Sequence, residues 1–191
     1  METKQVRGVK VLLPSQDEAV ATSWPHAETL GREKLSNTRF ESVDLSSHRW
    51  TDVSVSRCRF VGCRMMGFTV TGGTFADVLF ERCRIDYAVF SRVKATGSVA
   101  FVDCTFTDAE FSGGDLSGTV FAGCDLRGAA FEAVKLVGAD LRGSEVSGLS
   151  GVGSLKGAEM TEGQLTDLFM SLAAELELKL TRLEPDGLEG G

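Results

Sequence analysis

Residues 121–143 read FAGCDLRGAAFEAVKLVGADLRG. The word Cys124-Asp125-Leu126-Arg127-Gly128 returns in them fifteen residues later as Ala139-Asp140-Leu141-Arg142-Gly143. Gly-Asp-Leu-Ser-Gly at 114–118 is a third spelling. The shared step is five. Stepping by five from Phe40 gives Leu45, Trp50, Val55, Phe60, Met65, Val70, Phe75, Phe80, Ile85 and Phe90. After one extra residue the series resumes as Phe101, Phe106, Phe111, Leu116, Phe121, Leu126, Phe131, Leu136, Leu141 and Val146. All 21 positions are apolar in a chain that is 42% hydrophobic. Five fits neither the 3.6-residue period of a helix nor the two-residue period of a strand. The chain must turn after every fifth residue.

The position two before each centre is small throughout the second series, from Val99, Cys104 and Ala109 to Ala139 and Ser144. In the first series only His48 and Phe68 break that rule. One large and one small inward residue per five describes a narrow tube filled without voids. The other three positions are mostly polar or glycine, as an outer wall requires. The 22 glycines against three prolines agree, indicating many tight turns rather than disorder.

The three Asp-Leu words resemble the pentapeptide repeat family, whose repeat is A(D/N)LXX, and the register extends the resemblance over residues 36–150. It implies an all-β solenoid, a right-handed quadrilateral β-helix in which four pentapeptides make one coil, here followed by a C-terminal α-helix. Roughly five to six coils at ~4.8 Å would give a rod about 25–30 Å long. Residues 20 apart, or 21 across the extra residue near 94–98, should then lie one above another. Phe40, Phe60, Phe80, Phe101 and Phe121 should form one stack beneath Leu141, with Arg57 beside Asp77 and Arg82 beside Asp103 on the outer wall.

Both ends of a parallel ladder need covers. Residues 1–35 are read as the N-terminal cap, with Val9–Pro14 holding a short strand. Residues 151–191 are read as a C-terminal helix and tail. There Thr161 and Gln164 have capping-box spacing. Leu165, Leu168, Phe169, Leu172, Ala173 and Leu176 follow on one helical face, which is expected to cap the last coil. By the resemblance, Leu165, Leu168, Phe169, Leu172 and Leu176 also form a homodimer. Leu178, Leu180 and the tail could add a short strand.

Net charge is −7, unevenly placed. Residues 36–94 hold six acids and nine bases, whereas residues 95–150 hold eight and three, as do residues 151–191. That balance disfavours direct nucleic-acid binding and leaves an acidic half to attract a basic partner. Its outward carboxylates, Asp103, Asp108, Glu110, Asp115, Asp125, Asp140 and Glu145, are the candidate binding surface. Outward Val61, Leu79, Val102 and Val120, with Ala100 and Ala122, form an apolar strip that either docks a partner or lies beneath the N-terminal segment.

All five cysteines, Cys58, Cys63, Cys83, Cys104 and Cys124, fall at the small inward position, the last four in one column. A straight column does not converge on a tetrahedral ion, and cysteine packs as a small hydrophobe, so neither metal nor cofactor is expected. An odd thiol count suits a reducing cytoplasm. The N-terminus has no apolar leader and no apolar run approaches ~18 residues, so no signal peptide and no membrane span are expected. No P-loop, HExxH or strand-linked GxGxxG is present, and no enzyme is expected. The resemblance implies a protein partner, with DNA gyrase, mimicry of its duplex and resistance to its poisons as the nearest analogy. Two other readings stay open. One is a scaffold using the apolar strip or the Arg64/Arg84 wall. The other is a small-molecule or catalytic site in the corner of His48, Trp50 and Phe68.

Overall fold

The computed structural model describes residues 1–15, 20–179 and 181. Each five-residue step forms one side of a four-walled β-solenoid whose walls are parallel ladders. Position n pairs with n+20 up to the third coil and with n+21 across the extra residue. The extra residue lies between Ala95, still paired with Phe75, and Val99, paired with Val78. Gly97 takes up the slack there, where a Cβ would come within 3.2 Å of Ala76.

Wall 1 is centred on Phe40, Phe60, Phe80, Phe101 and Phe121, and wall 2 follows it around Leu45, Met65, Ile85, Phe106, Leu126 and Val146. Wall 3 stacks Leu30, Trp50, Val70, Phe90, Phe111 and Phe131. Wall 4 carries Leu35, Val55, Phe75, Leu116 and Leu136. All 21 centres of the five-residue series are buried, in a single core cluster. The phenylalanines of wall 1 stack with centroids 4.9, 4.8, 4.7 and 5.2 Å apart. A second stack, Phe90, Phe111 and Phe131, stands on wall 3 at 5.0 and 4.6 Å.

The residue two past each centre makes the corner. From Ser42 to Gly148 it lies in the left-handed region with φ between 49° and 70°, except at the inserted segment. This column absorbs much of the glycine excess in the C-terminal half. In the N-terminal half Asp52, Arg57, Asp77, Arg82 and Tyr87 adopt the same conformation against their intrinsic preference.

Both ends differ from the expected boundaries. The ladder begins before residue 36: Val20–Ala21 pairs with Arg39 and Phe40, and Thr29–Gly31 with Arg49–Thr51. Its end is covered by Trp24, stacked on Trp50 at 5.3 Å and tilted on Phe40 at 5.4 Å. The strand over Val9–Leu13 exists, but as half of an antiparallel hairpin, β1 (Glu2–Val6) and β2 (Val9–Leu13), that lies along wall 1 and not over the end. Arg7 and Gly8, both left-handed, make its turn. At the other end the ladder continues past residue 150, since Asp140 bridges to Glu159.

The helix α1 (Glu162–Glu175) carries the capping box: Gln164 N donates to Thr161 Oγ1 at 3.3 Å, and Thr161 N to Gln164 Oε1 at 2.8 Å. Gln164 also closes the tube, its Nε2 donating to Leu141 O at 2.7 Å and Ser144 O at 2.8 Å. These carbonyls face the end of the ladder, where the rung beyond would otherwise supply donors. Leu178 is exposed and in no strand. The strand expected to include Leu180 and the tail otherwise lies outside the described residues.

Candidate binding surface

The five-residue repeat points two of every five side chains inward, so anything that recognises this protein reads the remaining three. Of the seven carboxylates expected to form that message, four are held by their own pentapeptides. Asp125 meets Arg127 at 2.6, 2.9 and 3.1 Å, and Asp140 meets Arg142 at 2.7 and 2.9 Å. Asp115 accepts from Ser117 Oγ at 2.6 Å and Ser117 N at 3.1 Å, and Glu145 from Ser147 N at 3.1 Å. These bonds, led by the Arg127 and Arg142 side chains and the Ser117 and Ser147 donors, hold all four carboxyls below their ordinary values. They stay charged, but Asp125 and Asp140 are each neutralised from two residues away.

Asp140 is also buried, because Arg7 of the hairpin turn reaches it at 3.3 Å. It offers little to a partner. Asp103, Asp108 and Glu110 remain exposed. Asp108 makes one corner and Glu110 opens the strand after it, and Glu132, exposed on the next rung, adds to them across a recess of about 130 Å³ lined by Phe111, Ser112 and Ala130. Glu132 was missed by the repeat reading because its position is polar in most coils. The carboxylates are distributed over all four walls and interleaved with Arg127, Lys135 and Arg142.

The apolar strip is covered. Leu79, Ala100 and Val120 are buried against Val6, Val11 and Leu13, with Val102 and Ala122 packed at the margin. Of the two fates open to the strip, this one leaves Leu79 and Val120 with no face for a partner. Val61, half-buried, is not part of that cluster. The hairpin is fastened by ion pairs: Lys4 to Glu81, Arg59 to Glu81 at 2.5 Å and to Glu2 at 3.2 Å. Burial would raise the Glu81 carboxyl, but hydrogen bonds from Lys4 and Arg59 outweigh it and hold the group low.

The corner at His48 is also filled. His48, Trp50 and Phe68 are all buried, with His48 Nδ1 3.2 Å from Ser46 O and the ring of Trp24 edge-on to His48 at 6.0 Å. A ligand site there would require Trp24 to leave. On wall 2, Arg64 pairs with Asp44 at 3.1 Å and Arg84 with Asp86 at 3.9 Å. Arg57 donates to Asn37 at 2.6 Å instead of meeting Asp77, which accepts from Leu12 N at 3.4 Å. Among the described residues Arg82 and Asp103 form no ion pair, although their rungs are adjacent as expected.

The thiols are packing elements. All five are free and buried, and those of Cys63, Cys83 and Cys124 donate to wall 1 carbonyls. Burial pushes the Cys58 thiol up to about 11 and drives Cys104 upward as well.

The helix face divides into two. Leu168 is buried in the cap and Leu172 packs against the core. Leu165, Phe169 and Leu176 are more than half exposed. Leu165, Leu168 and Leu172 line one side of an open groove of about 530 Å³, and Val152, Leu155, Ala158 and Met160 line the other.

Residues 101–145 match the family model for pentapeptide repeats, in eight copies. The chain carries pentapeptide repeats. No curated protein matches it. Among solved structures, a trypsin-treated variant of QnrB1, a plasmid-mediated fluoroquinolone resistance protein, aligns at 17% identity over 85% of this chain and 99% of that one, with a TM-score of 0.36. The pentapeptide repeat protein Rfr23 from the cyanobacterium Cyanothece 51142 aligns at 11% identity over 71% and 88%, with a TM-score of 0.39. HetL from Nostoc sp. strain PCC 7120, a pentapeptide repeat protein involved in heterocyst differentiation regulation, aligns at 13% over 75% and 85%, with a TM-score of 0.22. The register described above extends the pentapeptide step well to the N-terminal side of residues 101–145. There Ser, Asp, Arg and Tyr take most of the corners, with glycine at Gly62, Gly67 and Gly72, and the Asp-Leu word is mostly absent. Among the described residues no helix is long and apolar enough to cross a membrane.

Proposed function

We propose that this is a non-catalytic protein-binding rod in the cytoplasm whose acidic C-terminal half docks on a basic protein surface. The observation that carries the reading is the charge gradient along a rigid ladder, with nine bases to six acids over 36–94 and eight acids to three bases over 95–150. Asp108, Glu110 and Glu132 are the densest uncompensated group and form its proposed contact, with Asp103, Asp115 and Glu145 around it. A large fixed field of this kind steers encounter and selects partners more than it adds affinity.

DNA gyrase is the partner that the family resemblance puts first, with protection from gyrase poisons as the outcome. Mimicry of a duplex asks for a continuous run of negative charge, and the pairing of Asp125 and Asp140 interrupts it. The test is gyrase supercoiling with and without a quinolone, using the full chain and a variant with Asp108→Lys, Glu110→Lys and Glu132→Lys. Inhibition or protection lost in the variant supports the reading. No effect of the wild-type chain at micromolar concentration removes gyrase as the partner.

The exposure of Leu165, Phe169 and Leu176 favours a second element, pairing of two chains through α1. Phe169→Glu would abolish a dimer formed there while leaving the Leu168 cap intact.

A further inference from the structure

Wall 2 carries an order of charge that tube packing does not require. Its outward column before each centre runs in register as Asp44, Arg64, Arg84, Thr105, Asp125 and Glu145. Rung by rung the wall reads Arg64-Met65-Met66, Arg84-Ile85-Asp86, Thr105-Phe106-Thr107, Asp125-Leu126-Arg127 and Glu145-Val146-Ser147. About the threonine rung the charges of the two rungs on either side invert, and Asp44, paired with Arg64 one rung further out, has no counterpart. Arg-Ile-Asp on one side becomes Asp-Leu-Arg on the other, and Arg64 is answered by Glu145.

Two copies of a flat wall can pack face to face about a two-fold axis lying in the interface. When that axis runs along the strands, the rods are antiparallel and each column meets itself with the order of rungs reversed. With the axis at the Thr105 rung, Arg84 meets Asp125 and Arg64 meets Glu145, each contact occurring twice, while Arg127 comes opposite Asp86, which is buried and accepts from Thr107 N at 3.0 Å within its own chain. The reach is available: the side chains of Arg64, Arg84 and Arg127 are 64, 64 and 59% exposed. The central rung presents only threonine. At the adjoining corner Tyr87, 57% exposed in a left-handed backbone, comes opposite Gly128, a corner with no side chain to obstruct it. An axis along the rod would set Arg84 against Asp86 and Asp125 against Arg127, but would leave Arg64 facing Met66 and Glu145 facing Ser147, so the outer rungs pair only in the antiparallel arrangement. Wall 4, with the column Lys34, Ser54, Thr74, Lys94, Asp115 and Lys135, has no such inversion, and wall 1 is covered by the hairpin.

We propose that wall 2 is a self-complementary interface through which two copies of this chain pair side by side and antiparallel. Five rungs at ~4.8 Å and one short strand make a contact smaller than the ~800 Å² per partner of a stable complex. The pairing is therefore reversible, and its orientation is set by charge and weakened by salt. It is separate from pairing through α1 and does not depend on the identity of any other partner.

The test is sedimentation equilibrium of the full 20.4 kDa chain at low salt, where charges are screened over ~30 Å, and at high salt, where they are screened over ~3 Å. The apparent mass should rise above that of one chain at low salt and fall at high salt. Arg84→Asp and Asp125→Arg should each weaken association at least tenfold alone. Mixed in equal amounts they should restore it, because the carboxylate introduced in one copy then faces the guanidinium introduced in the other. Such rescue is specific to the antiparallel register. Arg64→Glu mixed with Glu145→Arg repeats the test should either first variant lose its thermal transition. The salt-sensitive step should persist in Phe169→Glu. A chain that is monomeric at low salt, a mixture that does not reassociate, or association abolished by Phe169→Glu alone would each overturn the proposal.

Discussion

Gln164 closes the tube with one side chain, and its replacement separates two roles that sequence alone would merge. In Gln164→Ala, Thr161 N loses its acceptor and Leu141 O and Ser144 O lose their donor, all three at a site where the glutamine is 5% exposed. At about 1 kcal/mol for each lost bond, the change costs about 3 kcal/mol. Thr161→Ala removes only the cap and costs about 1 kcal/mol. Gln164→Glu discriminates between the roles. Glutamate serves a capping box as well as glutamine does, yet here it turns a carboxylate oxygen toward two carbonyl oxygens, so it should destabilise at least as much as alanine at pH 7. Burial and those carbonyls would raise the folded pKa of the introduced carboxyl above its unfolded value of about 4.3. The protonated acid can donate, so the variant recovers stability as pH falls through the folded pKa, fully below the unfolded one. Urea unfolding followed by helix circular dichroism reads the C-terminal end, while Trp24 and Trp50 fluorescence reports the other end independently. If Gln164→Glu matched Thr161→Ala within about 0.5 kcal/mol at pH 7, the closure argument would be refuted.

Other expectations concern the hairpin, the corners and the thiols. Because the folded Glu81 carboxyl is depressed, the hairpin's ionic fastening is present above the ordinary carboxylate range and lost as pH falls through the folded value. Amide exchange over Glu2–Leu13 should therefore quicken in acid before exchange in Val99–Val102 does, and simultaneous loss would contradict this. Gly151→Ala should be far worse than Gly138→Ala: both glycines are left-handed, but a Cβ at Gly151 would lie 2.0 Å from Phe131 O, whereas nothing lies within 4 Å at Gly138. Thermal unfolding should show about 1 kcal/mol lost at Gly138 and well over ~2 kcal/mol at Gly151. In the native protein all five buried thiols should resist a chromogenic disulfide that modifies them in denaturant, and rapid native reaction at Cys83 or Cys104 would contradict the packing role.

The tube was legible because volume constraints repeat. A phenylalanine at Phe101 has to find Phe80 and Phe121 above and below it, and the sequence records that need once in every coil. The corners were half legible. Gly128 or Gly143 declares a left-handed turn, but Arg57 and Tyr87 do the same work without any propensity to announce it. Elements outside the repeat left weaker signals. Glu2, Lys4 and Val6 alternate as any half-buried strand does, and nothing local says which wall they meet. The signal lay far along the chain, in Leu79, Ala100 and Val120 standing apolar where the repeat wants polar residues. Trp24 left no pattern because a single capping ring has no period. For the binding surface, the Asp-Leu-Arg words show charge but hide its cancellation, since Asp125 and Arg127 look outward together and meet only once the turn between them is built.

The hairpin also changes the order in which the molecule can be completed. A solenoid held only by neighbouring coils can form in chain order, one coil at a time, as it leaves the ribosome. Here a segment that precedes every coil in the chain rests on rungs supplied by residues 59, 81, 120 and 140. Glu2 through Leu13 cannot complete their contacts until Val120 and Asp140 have been made. The hairpin, synthesised before the rod, is thus seated after it. Until that happens the growing rod displays Leu79, Ala100 and Val120 to whatever is nearby.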